Sequence, residues 1–166
     1  MSDHPTLPHG RRAVGVALAA WVALLAVTLL APSAAGPSWL VETIAAAGDA
    51  VGLPAALVAP ERVEFLLNVV AFVPVSLFGG LLWTRATWRD WTAVGFAASL
   101  LVEVVQAVVL DGRSATHADV VANTLGALVG SLAAAGVLRL LAQWSSERRA
   151  DLPDGLPPAE QVEPPG

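Results

Sequence analysis

Apolar positions along this chain gather into four long blocks separated by short polar or proline-rich breaks. The blocks cover residues 13–30, 64–83, 91–110 and 119 to about 144. A hydrocarbon layer about 30 Å thick is crossed by roughly 20 apolar helical residues, so each block is long enough to span. The pattern predicts an all-α fold, a polytopic membrane helix bundle of about four transmembrane helices. Residues 1–12 form a cytoplasmic N-terminus in this reading, 13–144 the membrane domain and 145–166 a disordered cytoplasmic tail, because the tail is rich in Pro, Gly, Asp and Glu.

The breaks carry their own information. Pro32, Pro37, Pro54 and Pro60 predict a connecting segment over 31–60. Within it Trp39, Leu40, Thr43, Ile44 and Ala47 recur at helical spacing, which predicts a short helix lying on the membrane surface. In the second block Pro74 removes a backbone donor, so a kink is expected there. The first block follows Arg11 and Arg12 and precedes Pro32-Ser33-Ala34-Ala35-Gly36, a pattern that also fits a cleavable signal peptide.

Composition agrees with a lipid solvent: 55% of residues are apolar and 14% charged, with a mean hydropathy of +0.65. The absence of cysteine excludes disulfides, a thiol nucleophile and Cys-ligated metals. The net charge of −5 resides mostly in the tails and the first loop, and no basic patch with interleaved aromatics points to nucleic acid. Every basic residue is arginine. With the N-terminus in the cytoplasm, Arg11, Arg12, Arg85, Arg89, Arg139, Arg148 and Arg149 lie inside, and Arg62 and Arg113 outside, the asymmetry expected of a positive-inside topology.

That orientation places several polar residues at one depth. Glu64 and Asn68 begin the second block, Glu103 and Gln106 lie in the outer half of the third, and Asp119 and Asn123 begin the fourth. Helical spacing puts Gly95, Ser99, Glu103 and Gln106 on one face, and Asp119, Asn123, Gly126 and Gly130 on another. A charged residue at the centre of a spanning helix costs roughly 2.5–3.5 kcal/mol on insertion scales, so Glu103 is either protonated or paired. Arg113, in the loop 111–118 with His117, is its expected partner. The candidate substrate-binding cluster is therefore Asn68, Glu103, Gln106, Arg113, Asp119 and Asn123. Asn68, Gln106 and Asn123 equally suit interhelical hydrogen bonds, and Asp119 suits a helix N-terminus. His117 stands without an HxxxH or HExxH partner, so no metal is assigned, and no cofactor.

At these residues the chain resembles the VanZ-like family of small bacterial membrane proteins. The matching stretches are EFLLNVVAFVP (64–74), EVVQ (103–106) and RSATHADVVANTLGALVG (113–130), with Ser76 standing where the family commonly has Gly. The resemblance implies a four-helix domain in a bacterial cell membrane, associated in the family's namesake with reduced susceptibility to the glycopeptide teicoplanin. On this reading the outward-facing cluster engages a cell-envelope component, such as a lipid-linked precursor or an amphiphile. Two alternatives stay open: a membrane-embedded enzyme on a lipid-linked substrate, with Glu103 or Asp119 as general acid or base, and a proton or small-solute pathway.

Overall fold

The computed structural model describes residues 8–29, 35–109 and 117–150. Arg113 and the segment 151–166 lie outside the described residues, as does most of the small-residue stretch 32–36. The described residues form six helices: α1 (Pro8–Leu29), α2 (Ala35–Ala50), α3 (Ala55–Val58), α4 (Pro60–Leu82), α5 (Trp88–Val109) and α6 (His117–Ala150). By length and apolar composition α1, α4 and α6 each suffice to cross a membrane. The 22-residue α5 is about 33 Å long.

Differences from the sequence expectation occur at helix ends and have local causes. The segment 31–60 is mostly helical: α2 occupies 16 residues, longer than the stretch marked by periodicity. Pro37 falls in its first turn, where a missing N–H leaves no intrahelical bond broken. α2 stops at Gly52, whose φ of +79° lets Leu53 N–H reach the Gly48 carbonyl at 3.0 Å and Gly52 N–H the Asp49 carbonyl at 2.9 Å. α4 starts at Pro60 rather than Glu64, because proline at the first helical position begins a helix and holds Ala59 extended. α5 starts at Trp88 rather than Trp91. There Thr87 N–H and Oγ1–H donate to Asp90 Oδ2 at 2.7 and 2.8 Å, and Asp90 N–H reaches back to Thr87 Oγ1 at 3.4 Å, a reciprocal cap that satisfies end amides. α6 begins at His117 and continues to Ala150, so residues 145–150, expected in the tail, extend the helix.

α6 is the centre of the bundle, between α4 and α5. It runs parallel to α4: Asn68 meets Asp119, Gly126 abuts Val69, Gly130 abuts Val73, and Gly80 abuts Ala134. It runs antiparallel to α5, where Ser99 meets Asn123 and Gly95 meets Ala127. α1 lies antiparallel along α4, held by Arg11 to the Leu82 carbonyl and by the Trp21 indole to the Ala71 carbonyl, at 3.0 and 2.8 Å. The Trp21 bond falls beside the break in the α4 ladder, on the Ala71 carbonyl next to that of Val70. α4 continues through Pro74, which cannot donate to the Val70 carbonyl, and neighbouring helices commonly supply donors to backbone loosened in this way.

The distribution of side chains is the reverse of a soluble protein's. Most buried positions are small or polar, Ala122, Ala127, Ala134, Ser76, Ser99, Ser131, Asn123, Gln106 and Glu103, with Val41, Val63 and Phe72 the larger apolar ones. Large apolar side chains such as Leu24, Leu66, Val70, Leu101, Val129 and Leu132 are exposed. Such a surface is stable only in lipid, where apolar exteriors cost nothing and helices associate by close packing and hydrogen bonds. The chain is a membrane protein.

Glycine is required where α6 meets α4. A Cβ on Gly126 would collide with the Val69 carbonyl oxygen, and one on Gly130 with the Val73 carbonyl oxygen; at Gly136 a Cβ meets nothing within 4 Å. Gly126→Val and Gly130→Val are each expected to destabilise the purified protein by about 1–3 kcal/mol or more through overpacking. Gly136→Ala should be neutral or stabilising by up to about 1 kcal/mol. Thermal unfolding in detergent micelles measures all three, and a Gly126→Val protein melting with the wild type would contradict this helix contact.

Candidate functional site

The polar residues of α4, α5 and α6 converge at one end of the bundle, the end holding the C-termini of α1 and α5 and the N-termini of α4 and α6. Depth follows from the helical rise of about 1.5 Å per residue. Glu103 lies six residues before Val109 and Asn123 six after His117, each about 9 Å from its helix end. Asn68 lies eight residues after Pro60, about 12 Å in. Gln106 and Asp119 sit one turn closer to the surface.

Two interhelical hydrogen bonds tie the cluster to α6. Asn68 Nδ2–H donates to Asp119 Oδ1 at 2.6 Å, joining α4 to α6. Asn123 Nδ2–H donates to Ser99 Oγ at 2.8 Å, joining α6 to α5. Ser99 is fully buried and Asn123 is 4% exposed. Asn123 Oδ1 is also buried, and no described residue donates to it. An amide oxygen without a donor in a low-dielectric interior is costly, of order 1–3 kcal/mol, which makes this acceptor the cluster's most informative atom.

On α5 the face Ser99, Glu103, Gln106 turns inward as helical spacing predicts: Glu103 and Gln106 are each 8% exposed. Gln106 Nε2–H donates to the Leu29 carbonyl at 2.7 Å. This bond satisfies a carbonyl of the last turn of α1, which has no intrahelical donor. Asp119 is half-buried in the first turn of α6, where the unpaired amides favour a carboxylate. His117 is exposed at the same helix end, and Glu64 is exposed on α4.

Five of the six expected site residues are therefore placed at one end, and the sixth, Arg113, lies outside the described residues. Among the described residues the bonds run Asn68 to Asp119, Asn123 to Ser99 and Gln106 to the Leu29 carbonyl, and the expected pairing of Glu103 with Arg113 lies outside the described residues. Two contributors were not among the expected site residues. Ser99 belongs to the small and polar face of α5, and its burial follows from its position one turn from Glu103. The end of α1 joins through a backbone carbonyl, which no residue type announces. Ser76, the departure from the family pattern, is 1% exposed, so the tight packing that favours Gly there still admits a hydroxymethyl group. Among the described residues no group of three His, Asp or Glu is arranged to hold a metal ion.

Chemically the arrangement offers a buried carboxyl group, a second carboxyl at a helix N-terminus, and amides presenting both donors and acceptors, all at one end of the bundle. Comparison with curated proteins and with solved structures gave no match. A family model, VanZ/LLP1, matches residues 16–139, which takes in most of α1, all of α2 to α5 and α6 through Arg139. The match covers well over half of the 166 residues and includes every placed member of the cluster. The chain belongs to the VanZ/LLP1 family.

Proposed function

We propose that this protein uses the cluster of Asn68, Glu103, Gln106, Asp119 and Asn123, completed by Arg113, to engage a polar group of a cell-envelope component that enters from the outer face of a bacterial cytoplasmic membrane. The observation that carries this reading is Asn123 Oδ1, a buried acceptor with no donor among the described residues, at the same depth as a buried carboxyl group. A hydroxyl, amide or ammonium group of a lipid-linked precursor or amphiphile would supply the donor. The influence on glycopeptide susceptibility associated with the family's namesake would follow from such an engagement, by changing how much precursor or antibiotic is held at the membrane.

Orientation is part of the proposal. The end of the bundle opposite the cluster carries Arg11, Arg12, Arg85, Arg89, Arg139, Arg148 and Arg149, and a cytoplasmic location for that end satisfies the positive-inside rule. Trp83, Trp88 and Trp144, all exposed there, suit the headgroup level. Both termini then face the cytoplasm and the cluster faces outward.

A second reading is favoured by Glu103. A carboxyl group held 8% exposed within a spanning helix is suited to general acid-base work on a lipid-linked substrate, or to passing protons. Binding by the amides and catalysis or relay by Glu103 respond differently to loss of its ionisation alone.

The topology is tested first, using the absence of native cysteine. Asp49→Cys on α2 is expected to react with a membrane-impermeant maleimide in intact cells, and Arg148→Cys only after permeabilisation; the reverse pattern would turn the cluster to the cytoplasm and remove the proposal. For the site, the readout is teicoplanin susceptibility in a strain whose deletion changes it. At equal protein level, Asn123→Ala should lose the phenotype. Glu103→Gln should retain most of it if the cluster only binds, and should abolish it, as deletion does, if the carboxyl group transfers protons. Full phenotype in both variants would detach the cluster from function.

A further inference from the structure

At the end of the bundle opposite the polar cluster, α1 and α4 leave an open cleft of about 540 Å³ lined by Arg11, Arg12, Gly15, Leu82 and Trp83. We propose that this cleft is a binding site for the phosphate headgroup of an anionic phospholipid, which it takes from the adjoining leaflet. The inference concerns a different site from the one proposed above, so either can fail without the other.

The charge is the first argument. Arg11 and Arg12 follow one another near the start of α1, both exposed, and among the described residues no carboxylate lines the cleft. One Arg11 nitrogen, Nη2, donates to the Leu82 carbonyl at 3.0 Å. A guanidinium carries five N–H donors in a fixed plane, so this bond anchors the group at the wall while leaving donors for an anion, and the planar fork suits phosphate oxygens. The N-terminus of α1 adds the positive end of a helix dipole beside the same residues. The last carbonyls of α4 oppose an anion, and Arg11 covers the Leu82 carbonyl among them.

Shape is the second argument. Gly15 stands one turn beyond Arg11 on the same face, and a Cβ there would meet nothing within 4 Å. Its missing side chain is therefore not demanded by helix packing, unlike those of Gly126 and Gly130; what it leaves is space in the cleft. The volume falls within the roughly 300–1,000 Å³ of small-molecule sites.

The source of the phosphate follows from the surroundings. Trp83 is 55% exposed beside the cleft, where an indole suits the headgroup level, and its ring rests against Trp91 at a centroid distance of 5.8 Å. Val16, next to Gly15, is 69% exposed, so the arginine-lined cleft borders an apolar helix surface along which an acyl chain can lie. Basic pockets between membrane helices recognise anionic headgroups on these grounds. A soluble phosphate would gain nothing from the apolar border.

The test uses the purified full chain in a neutral detergent, with short-chain dioctanoyl-phosphatidylglycerol as ligand, dioctanoyl-phosphatidylcholine and inorganic phosphate as comparisons, and thermal unfolding as the readout, since binding to the folded state must raise the Tm. Phosphatidylglycerol should stabilise the wild type, and neither comparison should match it. Arg12→Gln should weaken apparent affinity about fivefold, and Gly15→Leu should weaken it without changing any charge. Arg139→Gln removes one charge from the same end outside the cleft and should leave affinity within about twofold. Equal stabilisation by phosphatidylcholine would overturn the anion specificity, and equal stabilisation by inorganic phosphate would overturn the lipid source. Loss in Arg139→Gln equal to that in Arg12→Gln, or an unaffected Gly15→Leu, would reduce the site to diffuse attraction and overturn it.

Discussion

The contact of α6 with α4 is the interaction on which the remainder of the bundle depends. In lipid no hydrophobic force draws two helices together, so association rests on van der Waals contact and hydrogen bonds at short range. Gly126 and Gly130 bring α6 onto the backbone of α4 at Val69 and Val73, and this approach sets the depth and rotation at which every other side chain of the pair meets. The Asn68 to Asp119 bond forms beside it because the two backbones are already close. Ser76 and Ser131 are buried as well, small side chains of the kind that let helices pack closely.

Much of this arrangement was legible in the sequence because lipid imposes lengths. A block of apolar residues must be helical to satisfy its own backbone and must be about 20 residues long to cross, so the four long helices could be read directly. Their ends could not, because those depend on local chemistry that block lengths overlook. Pro60 looked like the end of a connection and is the first residue of α4; Thr87 and Asp90 form a cap ahead of the apolar run in α5. Alanine-rich residues 45–50 prolonged α2 past its few large apolar markers.

The candidate site was legible to the same extent. Depth is arithmetic once helix direction is known, so the convergence of Asn68, Glu103 and Asn123 could be anticipated. Pairing depends on rotation about each helix axis, which the sequence constrains only to a face. Asn123 accordingly pairs with Ser99 and Gln106 with the Leu29 carbonyl, neither of which a search among charged residues would select. The outcome is a bundle with two chemically distinct ends: carboxyl and amide groups held inside the helices at one, guanidinium and indole groups displayed around them at the other.

The length of α6 carries one more consequence. Its 34 residues extend about 51 Å, against roughly 30 Å of hydrocarbon. The turns of α6 past Trp144, about 9 Å of helix, carry Glu147 and Arg148 and supply the polar end of that excess. Those charged turns lengthen the helix without lengthening its apolar face, so the part of α6 that must match a bilayer ends well before the helix does.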